Sequence, residues 1–140
     1  MLLLMTGSKL TLHGSGENKR HFLAAPDLCR ALDLLVQKGK VGEIYNIGTM
    51  DEYKNVEVAH MICEVFGLDP KDWITHIDDR PFNDARYAIT WEPLTKLGWK
   101  PEIHLKDEIV NMANWYMDNF PRYAADGEKI IQRPKIKKAA

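Results

Sequence analysis

Residues 26–48 read Pro26-Asp27-Leu28-Cys29-Arg30-Ala31-Leu32-Asp33-Leu34-Leu35-Val36-Gln37-Lys38-Gly39-Lys40-Val41-Gly42-Glu43-Ile44-Tyr45-Asn46-Ile47-Gly48. Two periodicities meet here. Leu28, Ala31, Leu32 and Leu35 recur at spacings of three and four, which is one face of an α-helix. Pro26 suits the first turn, where its missing N–H has no intrahelical partner, and Gly39 ends the pattern. Val41 to Gly48 is then a β-rich run short enough for a single strand. A helix leading directly into a strand predicts an α/β fold.

The flanks repeat the alternation. Upstream, Leu10 and Leu12 alternate with Lys9, Thr11 and His13 before Gly14 and Gly16, predicting a strand that enters a glycine turn. Downstream, Asn55 is a candidate N-cap for a helix whose stripe is Val58, Ala59, Ile62, Val65 and Phe66, with Gly67 as the stop. Trp73-Ile74-Thr75-His76-Ile77 alternates as a strand. A loop from Asp78 to Tyr87 follows, then a short helix over Glu92–Leu97 ended by Gly98. The last strong element runs from Leu105 to Phe120, with Leu105, Ile109, Met112, Ala113 and Tyr116 on one face and Pro121 as terminator.

At 140 residues, 45% hydrophobic and 28% charged, the chain has the composition of one globular domain. Its apolar run Met1–Met5 is far short of the about 20 residues that span a bilayer, and it lacks the flanks of a signal peptide. Cys29 and Cys63 have no CxxC or ligand spacing, which argues against structural zinc and a disulfide framework. These features predict a soluble, cytoplasmic protein without a membrane partner. The formal net charge of −1 is uneven. Lys129, Arg133, Lys135, Lys137 and Lys138 crowd the last twelve residues, and the remainder is net acidic. Such a body is a poor nucleic-acid binder, and no specific nucleic-acid partner is expected. The basic segment reads as an extended, disordered tail over 121–140, capable of weak electrostatic contacts.

Much enzyme chemistry is missing. Gly14-Ser15-Gly16-Glu17-Asn18-Lys19 begins like a dinucleotide fingerprint but has no third glycine and no following helical pattern, so it reads as a turn. There is no Tyr-x-x-x-Lys, GxxxxGK[ST], GxSxG or HExxH, and the histidines stand apart from one another and from the cysteines. Catalytic, cofactor-binding and metal-binding residues are therefore not assigned.

One loop is rich in binding chemistry: Asp79-Arg80-Pro81-Phe82-Asn83-Asp84-Ala85-Arg86-Tyr87. Guanidinium forks grip phosphate oxygens through paired N–H donors, and Asn83 offers a donor and an acceptor to a vicinal diol such as ribose. The same residues can instead pair among themselves and stiffen the loop. Lys19-Arg20-His21-Phe22-Leu23 places a second cation beside an aromatic, suited to another phosphate or a planar base, or to an exposed strand edge.

Taken in order, Gly14-x-Gly16-x-x-x-Arg20-x-Phe22-Leu23, Arg30-Ala31-Leu32, Gly42-Glu43-Ile44-Tyr45-Asn46-Ile47-Gly48, Asn55-Val56-Glu57-Val58, Arg80-Pro81-Phe82-Asn83-Asp84-x-Arg86-Tyr87, Leu97-Gly98-Trp99-Lys100-Pro101 and Trp115-Tyr116 resemble a known family. They look like the C-terminal half of nucleotide-sugar 4,6-dehydratases of the extended short-chain dehydrogenase/reductase class, both the dTDP-glucose enzymes and the UDP-glucose part of rhamnose synthases. The Arg-Pro-Phe-Asn-Asp-x-Arg-Tyr form is more similar to the UDP-glucose branch. The resemblance implies an α/β substrate-binding lobe over residues 1–120, lacking the N-terminal Rossmann half. It also implies that Arg20 and Arg80 contact the nucleotide diphosphate of a UDP- or dTDP-sugar and that Asn83 faces its ribose. Tyr45 and Asn46 are implied to be structural, on a strand of the cofactor-domain sheet.

Two departures stand out. Ala24-Ala25-Pro26-Asp27 replaces an aromatic and acidic step, and Thr90-Trp91 replaces the usual Asp, with Thr90 left as a substitute helix cap. The family carries NAD, yet its fingerprint and catalytic Tyr-x-x-x-Lys are not in this sequence. The expectation is a substrate grip that is catalytically incomplete alone and binds no cofactor itself. An alternative is a non-catalytic protein that self-associates or docks onto a full-length dehydratase through an uncovered apolar face.

Overall fold

A computed structural model describes residues 1–123. Its elements are α1 (Leu2–Met5), β1 (Leu10–His13), β2 (Lys19–His21), α2 (Ala25–Lys38), β3 (Glu52–Lys54), α3 (Asn55–Val65), α4 (Pro70–Trp73), β4 (Ile74–Ile77), α5 (Glu92–Lys96) and α6 (Leu105–Asp118). β1 and β4 pair in parallel, Leu10 opposite Ile74 and His13 opposite Ile77. Everything from β2 to α4 forms the crossover between them, as parallel neighbours require. β2 and β3 make an antiparallel ribbon with Arg20 opposite Tyr53.

Two small cores hold these elements. One gathers Ala31 of α2, Leu94 of α5 and Trp99, with Leu23, Leu34, Leu35, Ile47 and Trp91 around them. The other lies between α3 and α6, where Ala59, Cys63, Leu105, Ile109 and Ala113 are buried. Two buried carboxylates join the cores. Asp27, wholly inaccessible in the first turn of α2, accepts from the Arg30 guanidinium and from the backbone N–H groups of Glu102 and Ile103. Its carbonyl accepts from Trp99 Nε1 at 3.2 Å. Asp51 accepts from Leu105 N at 2.6 Å and so satisfies a helix-end donor of α6 that no neighbouring side chain serves. Both acids sit where the positive end of a helix favours them.

Several expectations need correction. Val41 and Gly42 form a turn, with Gly42 at positive φ, and residues 43–48 join no ladder among the described residues. Ile47 reaches the core, and a Cβ at Gly48 would lie 2.5 Å from the Trp91 ring, yet Val41 is fully exposed and Ile44 is 87% exposed. A β-rich segment needs a neighbouring strand for its backbone groups, and among the described residues none is alongside. α2 forms as predicted but buries Asp27 and Ala31, and its Leu34 and Leu35 pack on the core, while Leu28 and Leu32 of the expected face are exposed with Val36. Met112 of α6 is likewise exposed.

Asn55 is the first residue of α3, not its cap. The preceding residue is Lys54, whose N–H is taken by the Glu57 carboxylate at 2.7 Å. Trp73 closes the short α4, capped by Asp69, and the strand starts at Ile74. Thr90 does not cap α5; the cap position is Trp91, without a side-chain bond, and Thr90 O instead accepts from Asn46 Nδ2. Beyond α6, residues 120–123 make a further helical turn in which Tyr123 lies 5.7 Å from the Trp115 ring, so Pro121 does not end helical structure. The rest of the expected tail lies outside the described residues.

The run Met1–Met5 supplies the single turn α1 with Leu4 buried, and no helix among the described residues is long and apolar enough to cross a membrane. Cys29 is exposed, Cys63 is buried, and both are free thiols.

Candidate functional site

The ends of β1 and β2, the start of α3 and the loop after β4 enclose a cleft of roughly 350 Å³ lined by Thr11, Leu12, His13, Arg20, Asn55, Arg80 and Asn83. All three residues singled out in the sequence, Arg20, Arg80 and Asn83, thus meet in one place. Arg20 projects from the middle of β2 and lies over the Tyr87 ring, 4.6 Å from its centroid. Its Nη2 donates to Asn83 Oδ1 at 3.3 Å, and Nη2 of Arg80 donates to the same oxygen at 2.8 Å. Asn83 Nδ2 donates in turn to Asp79 Oδ1 at 2.9 Å, which orients the amide so that its oxygen faces both cations.

The loop's charges are distributed in an informative way. Asp79 takes the Asn83 amide and the Arg80 backbone N–H, and Asp84 takes the Tyr87 hydroxyl. That bond to Asp84 pushes the Tyr87 phenol above its ordinary range, since the carboxylate stabilises the protonated form. Arg86 leaves the loop altogether and forks onto Glu52 of β3. The Arg80 guanidinium joins the loop's own network only through the Asn83 amide, as does that of Arg20 from β2. Among the described residues no carboxylate lies within ion-pair distance of either. Two guanidiniums drawn together on one neutral oxygen, with most of their N–H donors left over, form an acceptor-seeking site for an anion.

Asn83 was expected at a ribose; here both ends of its amide are occupied by protein groups, and its present task is to orient the two arginines. Asn55 lines the cleft as well, and the sequence reading as a cap missed it. The alternation Leu10/Leu12 against Thr11/His13 did place the latter pair on one side of β1. Nothing local to β1 indicates that Arg20 and Arg80 reach that strand's end.

The Gly14–Gly16 stretch is the turn between β1 and β2, with both glycines at positive φ. A Cβ at Gly14 would sit 2.8 Å from Asp79 Oδ2, so the close approach of the loop requires glycine there. A strand follows the turn, so no helix N-terminus is presented for a pyrophosphate, and these residues do not fit a dinucleotide cofactor. No group of metal-ligating side chains occurs among the described residues.

The family model for GDP-mannose 4,6 dehydratase matches residues 3–112, which includes every residue lining the cleft. The chain belongs to that family. Over 136 residues it is 39% identical to the trifunctional UDP-glucose 4,6-dehydratase/UDP-4-keto-6-deoxy-D-glucose 3,5-epimerase/UDP-4-keto-L-rhamnose-reductase of Arabidopsis thaliana, covering 97% of this chain and 20% of that protein. Among solved structures, the dTDP-glucose 4,6-dehydratase of Bacillus anthracis in complex with NAD superposes with a TM-score of 0.77 and 36% identity, covering 84% of this chain and 37% of the other. The dTDP-glucose 4,6-dehydratase of Streptomyces venezuelae, with NAD and TYD bound, gives 0.79 and 30%, covering 84% and 36%. The chain thus shares with these solved relatives the fold expected from the motifs, that of the extended short-chain dehydrogenase/reductase dehydratases. The chain spans between a fifth and about two fifths of the length of these relatives.

Proposed function

We propose that this chain forms the nucleotide-sugar-binding portion of an NDP-glucose 4,6-dehydratase, gripping the diphosphate of a UDP- or dTDP-sugar between Arg20 and Arg80. The observation that carries this reading is the convergence of the two guanidiniums on Asn83 Oδ1 with no carboxylate partner among the described residues. A diphosphate supplies two adjacent anionic groups at about the spacing of two neighbouring forks, and such charge-assisted bonds are the strong ones. On binding, phosphate oxygens would draw the N–H donors away from Asn83 and release its amide for the ribose. The Arg80-Pro81-Phe82-Asn83-Asp84-x-Arg86-Tyr87 form resembles the UDP-glucose branch more than the dTDP-glucose branch, which makes UDP the first nucleotide to test.

Its part in catalysis is remote binding energy. Holding the nucleotide orients the hexose, whereas converting NDP-glucose to its 4-keto-6-deoxy product requires a nicotinamide cofactor and acid–base groups. This sequence contains neither the NAD fingerprint nor Tyr-x-x-x-Lys, so the chain alone is read as catalytically incomplete. Titration calorimetry with UDP tests the grip: saturable binding that Arg80→Ala weakens by about tenfold or more supports it, and an absence of binding by the unaltered chain overturns it. Incubation with UDP-glucose and NAD tests the incompleteness, which any 4-keto product would contradict.

A second reading draws on a separate observation. Val36 is 88% exposed, Ile44 is 87% exposed, and Val41 lies between them in the chain. These exposed apolar side chains suit a chain that self-associates or docks onto a full-length dehydratase, with its ligand cleft vestigial. Co-sedimentation with such an enzyme, combined with no UDP binding, selects this alternative.

A further inference from the structure

We propose that the Glu52–Arg86 ion pair is a positioning latch: it locks the 79–87 loop onto the β2–β3 ribbon and thereby sets the spacing of Arg20 and Arg80. The proposal rests on the anion-gripping reading of those two arginines.

The loop and the ribbon are joined by backbone at one point. Lys19 N donates to Ala85 O at 2.8 Å, and Asn18 Nδ2 donates to Asp84 O at 3.0 Å. These bonds anchor residues 84–86 to the edge of β2, where Arg20 also lies over Tyr87. Arg86 adds an attachment to the other strand of the ribbon by reaching across to β3. Its Nε donates to Glu52 Oε1 and its Nη2 to Oε2 at 3.2 Å, a two-bond fork that fixes direction as well as distance. Glu52 is itself well held for a surface acid: its side chain is 17% exposed, and His21 Nε2, opposite it in the ribbon, lies 3.7 Å from Oε1. His21 is braced from behind by Thr49 O at 2.8 Å and by the edge of Trp91.

The consequence falls on the cleft. Arg20 lies next to His21 on β2, and Arg80 and Asn83 lie on the loop that Arg86 pins. The distances of 3.3 and 2.8 Å from the two forks to Asn83 Oδ1 depend on loop and ribbon keeping one mutual orientation. Neither Glu52 nor Arg86 lines the cleft. They act through Arg20 and Arg80 and are positioning residues. The opposite shifts of the two groups agree: Arg86 holds the Glu52 carboxyl below the ordinary carboxylate range, and Glu52 raises Arg86.

The test uses the full chain with Glu52→Gln, Arg86→Gln and the double variant, UDP as probe, and NMR of arginine Nε–Hε groups. Each single variant is expected to weaken UDP binding about fivefold, the scale of one exposed ion pair, and the double variant no further. In the ligand-free protein the Arg20 and Arg80 resonances should move in every variant, while Arg30, paired with Asp27 on α2, keeps its own. A bystander ion pair would leave affinity and both cleft resonances unchanged, and that result overturns the latch. Should the unaltered chain bind no UDP, the gripping reading falls, while the resonances still decide whether the pair positions the arginines. Arg86→Lys, which keeps charge without the fork, should restore only part of the affinity; full restoration would mean that charge rather than orientation matters, and would also overturn the proposal.

Discussion

The cleft side and the outer side of α2 are two differently finished surfaces of one chain. Around the cleft, side chains are held on polar partners: Asp79 by Asn83, Asp84 by Tyr87, Glu52 by Arg86, and the ribbon edge by the loop backbone. On the outer side, Val36, Val41 and Ile44 meet solvent, and the segment 41–48 has the sequence of a strand without a neighbour. Polar satisfaction can be completed locally, from residues within one loop and one ribbon. Strand formation cannot, because its hydrogen bonds belong to a second segment. The first surface therefore keeps its polar groups paired within one loop and one ribbon, and the second leaves apolar side chains in solvent.

The largest way to break the contrast is to remove the frame shared by both sides. Asp27→Ala would leave the backbone N–H groups of Glu102 and Ile103 without their acceptor, Arg30 keeping only Glu102, and at about 1–3 kcal/mol for each orphaned donor a loss of about 2–6 kcal/mol in urea denaturation is expected. Leu94→Ala, at the wholly buried centre of the α2–α5 core, should cost about 2–5 kcal/mol by the same measurement. A more selective change is Arg80→Ala, which should weaken UDP binding by about tenfold or more while leaving the denaturation midpoint near its original value. Substituting Val36→Lys with Ile44→Lys should lower any concentration-dependent association seen by sedimentation and leave UDP affinity unchanged. If both changed together, the two surfaces would not be independent.

The smallest expected effect is on pH dependence. The folded-state value of Glu52 is depressed, first by the hydrogen bond from Arg86 and then by the charges of Arg86, His21 and Lys19. Its contribution to stability is therefore fully present above the unfolded carboxylate value of about 4.3 and is lost as pH falls through the lower folded value. UDP affinity should hold down to that region and then decline, and Glu52→Gln should flatten the decline.

Local chemistry made much of this legible. α2 was readable because apolar spacing, Pro26 and Gly39 agree within fifteen residues, and the Gly14–Gly16 turn because positive φ selects glycine. That the 79–87 loop is rich in charged and amide side chains was readable directly. What could not be read was which cation takes which acid. Arg86 and Arg80 have the same side chain six residues apart, and only the fold puts Glu52 beside one and Arg20 with Asn83 beside the other. The part played by Asn55 was hidden in the same way, since a residue fit to cap a helix looks the same when it lines a cleft.

By itself the amino-acid order determined the succession of helices and turns, the family to which the chain belongs, and the presence of arginines in the polar segments 19–23 and 79–87. These depend on short-range spacing and on ordered motifs, which are properties of the chain as a line. Tertiary structure decided that residues 41–48 remain without a ladder, that α2 turns Leu28 and Leu32 outward, and that Arg20 and Arg80 share one oxygen while Arg86 is held elsewhere. Each of those outcomes depends on which distant segment arrives alongside, and hydrogen bonding and burial are settled only at that contact.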